Sequence, residues 1–482
     1  MSIRPWQLIK WEKPAQSTAE RAEPIGVDFK LESLTAPIHL QTESVQARTL
    51  SSLRSAFEVL GRPRVPGYSP LGEAQVLLKA GAEVEHALLV EYLYACWSIG
   101  NSQTATRVLE IAIQEMCHFI TVQNLLLFTG DLPFLNRQDQ DPSPGLAPFP
   151  FSLRPFTKSV LESFLLAEMP PLQDMSPQQR QVMEPLIASH QVHPVGLIYA
   201  QVYWLFQEND QPTAAWPEAA AVGAAASLPA GHIDSFPGQS SSTTFQVDSA
   251  SEPNWRLSTS HNHGGVFALI DSREAALRAI AAIAAQGEGL ISTPGAPSHF
   301  ETFLDIYQTT NFDPQAPPSR PTDPFVADQP SPDPGREANR ITFPLATALC
   351  SVFDARYRIM LASIRAALSH DRSKPQDAAV RAGYSGWALE EMMSSITFLS
   401  GATGRLPCKA GGTAGQFAAA PTFNLGTLDL PDDPKALDDL LLSLHRSAAA
   451  AITATLAQNP DAVTRLNLQQ MQQRDRKRFP NL

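Results

Sequence analysis

The chain has 482 residues, with 36 Lys plus Arg against 48 Asp plus Glu and a formal net charge of −12. That length predicts more than one structural unit, and no segment gathers enough Lys or Arg to follow a phosphate backbone, so nucleic acid is not an expected partner. Cys96, Cys117, Cys350 and Cys408 are scattered without a Cys-x-x-Cys pair, which argues against a disulfide framework or a thiolate zinc site and for a reducing cytoplasm.

The N-terminus, Met1-Ser2-Ile3-Arg4-Pro5, lacks the apolar stretch and cleavage site of a signal peptide. No run of ~18 apolar residues is read in the chain, so no membrane partner is expected. Residues 1–70 are punctuated by proline and weakly periodic, and read as an arm or cap.

Residues 71–311 are expected to form a helical bundle. From Gly72 to about Gly100, and from Thr104 to about Phe128, helix formers run without proline and apolar residues recur at three- and four-residue spacing. The short turn between them makes the two helices antiparallel neighbours. Shorter helices are predicted from about Ser159 to Glu168, stopped by Met169-Pro170-Pro171, from near Pro194, and from Ser272 to Gln286. The Ala-, Gly-, Ser- and Pro-rich stretch from Trp216 to Phe267 reads as a long loop. Residues 312–338 form a Pro-rich linker, and 339–482 a helical C-terminal region with helices around 340–369, 376–400 and 434–457. The fold class is therefore all-α.

On the first long helix Leu78, Ala82, Glu85, Leu89, Tyr92 and Cys96 share one face, and Glu85 is its only formal charge. The second helix offers a matching seam of Val108, Ile111, Glu115, His118, Val122 and Leu125, with Gln114 among the polar positions around it. A Glu-x-x-His spacing sets carboxylate and imidazole side by side, able to chelate one ion. Helix bundles build di-metal sites from single Glu residues on two helices and Glu-x-x-His on two others. The bland alternative is a solvated or hydrogen-bonded pair; a seam position facing Glu85 favours the metal, because a buried carboxylate needs a partner. Glu288 and His299 offer a second Glu/His half-site, against the alternative that Glu288 binds backbone amides and His299 sits near a helix cap. His190 and His193, and His261 and His263, are further histidine pairs, more often solvated than ligating.

These residues resemble the ferritin-like iminophenyl-pyruvate dimer synthase family, which includes the imine-coupling enzymes of violacein and rebeccamycin biosynthesis. Val84-Glu85-His86-Ala87 with Tyr92-Leu93 is similar to that family's first-helix signature, and Glu115-Met116-Cys117-His118 with Asn124-Leu125-Leu126 to its second. The resemblance continues through Leu161-Glu162-Ser163-Phe164-Leu165 with Glu168, Gln286-Gly287-Glu288-Gly289 and Ser298-His299-Phe300-Glu301, and covers about residues 72–425. One departure stands out: where the family carries Gly-Glu-x-Tyr, this chain has Gly196-Leu197-Ile198-Tyr199, so a ligand position is apolar. Glu168 or Gln201 are the candidate stand-ins, and one ion or two remains open.

The resemblance implies an iron-dependent oxidoreductase of specialised metabolism acting on an amino-acid-derived imine or related small metabolite, with manganese as the alternative metal. It also implies an amino-acid oxidase that supplies the imine, and leaves room for a homo-oligomer. The implied metal ligands are Glu85, Glu115, His118, Glu168, Glu288 and His299. The rival expectation is a redox-inactive ferritin-like scaffold in a biosynthetic assembly, with Leu197 as its main support.

Overall fold

The computed structural model describes residues 5–12, 62–137, 151–170, 172, 175–188, 195–207, 233, 235–237, 270–288, 297–313, 319–326, 334–370, 375–413, 415, 417–426 and 428–480. Two long helices lead, α1 (Pro70–Cys96) and α2 (Ser102–Phe128). Each starts where its sequence provides a cap. Ser69 Oγ accepts the Gly72 amide ahead of Pro70 in the first turn, and Asn101 Oδ1 accepts the Thr104 amide, contacts that contribute ~1 kcal/mol apiece.

Two further helices, α5 (Gly196–Phe206) and α6 (Arg273–Glu288), complete a four-helix bundle in which α1 packs on α2 and α5, and α6 on α5 and α2. Between them in sequence come α3 (Lys158–Ala167) and α4 (Pro177–Ala188), a helix with Pro185 inside it that the periodicity does not announce. After α6, α7 (His299–Thr309) packs on α3, α6 and α2. The pair α3 and α7 therefore lies across the bundle beside α2 and α6.

The C-terminal part is built on α8 (Pro344–Ser369), against which α9 (Pro375–Glu390), a π-helical turn (Glu391–Ile396), α10 (Thr397–Gly404) and α11 (Pro434–Ala457) pack. The last helix, α12 (Ala462–Arg478), packs on α11. One apolar core is continuous through both parts, joining Leu89 and Ile120 of the bundle to Leu361 and Leu468. This explains why α1 is buried on more than its predicted seam: His86, a quarter-turn or so round the helix from Glu85, is hydrogen-bonded to Tyr357 of α8.

Strand is confined, among the described residues, to two short pairs. Lys10–Glu12 pairs antiparallel with Arg62–Arg64, and Phe325–Val326 pairs parallel with Arg340–Ile341. The first pair docks on the bundle, Arg62 donating to Gln201 (2.8 Å) and Arg64 pairing with Glu73 (2.7 Å).

Two helices, α2 and α11, are long and apolar enough to cross a membrane by length and composition, which corrects the reading that no such stretch exists. The apolar window of α2 is 83% buried inside the protein, that of α11 28%. Scattered polar residues such as Thr121 and Gln123 in α2 hide a mean hydropathy that an unbroken run would advertise.

Candidate metal centre

The site begins with local structure. α1 carries Glu85 and α2 carries Glu115 and His118, all on the facing seams their periodicity predicts, and all 3% exposed or less. Glu168 follows the last turn of α3 as its C-cap, where Met169-Pro170-Pro171 stops the helix. His299 is the first residue of α7, and its position is fixed by a capping box: Ser298 Oγ accepts the Glu301 amide (3.1 Å) and Glu301 returns a carboxylate oxygen to the Ser298 amide (2.9 Å). The helix-cap reading of His299 is thus true, and it serves to aim the ring.

These five side chains converge as two groups that share one member. Ligand atoms of Glu85, Glu115 and His118 lie within 4.8 Å of one another, and so do those of Glu115, Glu168 and His299. His118 Nδ1 is 3.1 Å from Glu115 Oε2 and 3.6 Å from Glu85 Oε2. His299 Nδ1 is 2.7 Å from Glu115 Oε1 and 3.6 Å from Glu168 Oε2. Adjacent ligands of one ion held by bonds of ~2.1 Å stand roughly 3.0–3.5 Å apart in octahedral or tetrahedral shells. The observed separations, 2.7–3.6 Å, lie around that range, with Glu115 presenting one oxygen to each group.

His299 Nδ1 supplies a sharper test. It is fully buried and sits 2.7 Å from a carboxylate oxygen, but a hydrogen on it would not point along that contact. A ring nitrogen close to an oxygen but not aimed at it is placed as two ligands of a common ion are placed. The donor set, carboxylates with imidazole, suits iron or manganese.

Electrostatics point the same way. Burial pushes the Glu85 carboxyl up to about 8, helped by the Glu115 charge beside it. Burial opposes the imidazolium of His118, but Glu115 next to it holds the group up at about 10; burial likewise opposes that of His299, which Glu115 and then Glu168 hold up at about 9. Glu115 is lowered, burial being outweighed by the two histidines. Among the described residues no Lys or Arg forms an ion pair with the three carboxylates, so protons shared with imidazole are the local means of neutralising them. Divalent ions would displace those protons.

Two tyrosines complete the arrangement. Tyr92 donates to Glu168 Oε1 (2.5 Å) and Tyr199 to Glu85 Oε1. Each orients a carboxylate that belongs to a single group. Leu88, Val195, Ile283 and Ala284 line the small cavity over the cluster. Gly287 allows Glu168 to enter: a Cβ there would stand 3.1 Å from Glu168 Oε2.

Of the residues expected from sequence, Glu85, Glu115, His118, Glu168 and His299 are brought together. The Glu288 side chain and the pairs His190/His193 and His261/His263 lie outside the described residues. Gln201 is not a stand-in ligand, because it is engaged with Arg62 and Glu73 (3.1 Å) away from the cluster. Leu197 is buried on α5 but is not among the residues lining the cavity; the same motif contributes Tyr199. Tyr92 and Tyr199 were not read as site residues, although Tyr92 lies on the helical face of Glu85.

Residues 78–308 match the family model described as Ferritin-like. This stretch is a ferritin-like domain. The chain is also 26% identical, over 82% of its length, to the 2-imino-3-(indol-3-yl)propanoate dimerase of Chromobacterium violaceum. The resemblance carried by the motifs is borne out by both findings. The chain spans 38% of that relative's length. No solved structure matches.

Proposed function

We propose that this protein is a metal-dependent oxidoreductase of specialised metabolism that holds two iron ions, one at Glu85, Glu115 and His118 and the other at Glu115, Glu168 and His299, and acts on an amino-acid-derived imine or a related small metabolite. The observation that carries the reading is the sharing of Glu115 between two buried three-ligand groups. When bound, iron supplies redox electrons and Lewis acidity. The chain's own residues do the rest: Tyr199 and Tyr92 hold Glu85 and Glu168 in place, and Leu88, Val195, Ile283 and Ala284 keep water from the cluster.

The imine substrate is supported by the relative named as an imine dimerase, and an amino-acid oxidase is the partner that would generate such a substrate. Four free, buried cysteines are consistent with a cytoplasmic home. The redox-inactive scaffold reading draws on Leu197; Glu168 at the cluster speaks for the metal-binding reading.

Metal analysis after iron supplementation tests the proposal, together with turnover of imines generated in place by an amino-acid oxidase. Two equivalents of iron and consumption of the imine are expected. Protein that stays free of transition metal returns the scaffold reading.

A further inference from the structure

We infer that Gln114 and Gln286 are positioning residues of the metal centre, each fixing the tautomer and tilt of a histidine carried by a different helix. The inference rests on the two-ion reading above. An imidazole that offers Nδ1 to a metal must carry its proton on Nε2, and that N–H needs an acceptor. Both histidines meet this condition in the same way. His118 Nε2 lies 3.0 Å from Gln286 Oε1 of α6, and His299 Nε2 lies 2.7 Å from Gln114 Oε1 of α2. In each ring the nitrogen facing the carboxylates is Nδ1 and the nitrogen facing an amide is Nε2.

The connectivity is crossed. Gln114 is the chain neighbour of Glu115 and shares α2 with His118, yet it holds His299 at the start of α7. Gln286 stands beside Gly287, the residue that gives Glu168 its space, yet it holds His118. The two rings lie 5.5 Å apart with their planes 29° from parallel. Each histidine is therefore fixed on one side by carboxylates and on the other by an amide, and the amides tie α2 to α7 and α6 to α2.

Glutamine also answers a charge problem. Among the described residues the cluster buries three carboxylates with no Lys or Arg paired to them, so a carboxylate acceptor behind each histidine would add further negative charge. An amide accepts the same hydrogen bond at no formal charge, and leaves each imidazole a neutral ligand.

Cobalt(II) titration of the full-length apo-protein, followed by calorimetry and visible absorption, tests this. Wild type is expected to take up two equivalents. Gln286→Leu should weaken one equivalent by ~10–100-fold, Gln114→Leu the other, and Gln→Glu at either position should restore affinity, because an acceptor at Nε2 is kept. The Glu variants should also shift the cobalt absorption bands, since the acceptor has become anionic. Leu variants with wild-type affinities and bands overturn the inference, as do Glu variants that bind no better than Leu. Should the Leu variants fail to fold, the Glu variants decide: shifted bands support the inference and unshifted bands overturn it. Wild type that takes up no cobalt overturns the two-ion reading instead.

Discussion

The bundle and the C-terminal helices each bury a polar cluster, and they neutralise it by different means. Around Asp475 the charges are all permanent residents. Arg356, fully buried, forms a two-pronged pair with the Asp475 carboxylate (2.7 and 2.5 Å), His445 Nδ1 adds a third contact (2.9 Å), and Glu391 is bound by Arg478 (2.7 Å). Two guanidinium groups answer two buried carboxylates, so positive and negative charge are matched within the cluster. Around Glu115, among the described residues, three carboxylates face two imidazoles and pair with no guanidinium or ammonium. The first cluster balances its own charge; the second is short of positive charge, which on the proposed reading bound metal supplies.

The largest effect should come from the shared ligand. Glu115→Ala removes a member of both groups, so bound iron should fall from two equivalents to none by elemental analysis, while the metal-free protein still melts cooperatively. Asp475→Ala should do the reverse, leaving metal content per folded molecule unchanged but costing ~3–5 kcal/mol in urea denaturation, because the buried Arg356 loses its two-pronged partner and keeps only the longer contact to Glu391 (3.4 Å). If Glu115→Ala unfolds the protein or Asp475→Ala strips the metal, the contrast between receiving and structural clusters collapses.

Acid should sharpen the same contrast. Burial works against the Asp475 carboxylate, but His445 and Arg356 together hold its pKa well below the ordinary 3.8. A depressed carboxylate contributes stability that is present above its unfolded value and lost as pH falls toward the folded one. Urea midpoints of metal-free wild type should therefore drop steeply below pH ~4, and Asp475→Asn should be less stable at neutral pH with a shallower acid slope. The smallest effect should be that of Ser298→Ala: loss of one cap, ~1 kcal/mol, accompanied by weaker binding of a single metal equivalent, because His299 is aimed from that cap.

How far the sequence reached depended on how local each feature is. Glu85, Glu115 and His118 were legible because a charged residue repeating on an apolar helical face is visible in one dimension. His299 stood out only as half of a second Glu/His pair with Glu288, and Glu168 only through motif resemblance, since a first-turn residue and a C-cap have no periodicity to betray them. Tyr199 and Gln286 matter through which helix they oppose, and opposition is decided by packing. The Arg356–Asp475 pair joins positions 119 residues apart, and α12 has no apolar stripe to mark it, so neither the network nor that helix was anticipated. Long runs of helix-forming residues without internal proline, α1, α2 and α11, were the easiest elements to foresee.

The placement of His299 at the head of α7 also bears on how the protein comes together. α1 and α2 are neighbours in sequence and can pair as soon as both are made, bringing Glu85, Glu115 and His118 together early. The second group must wait until the chain has passed through α3 and returned with α7, a closure that carries the entropy cost of a long loop. Metal captured there would act as a clasp fastened last. Its removal should then be felt first at α3 and α7, as faster amide hydrogen exchange in those two helices while α1 and α2 stay protected.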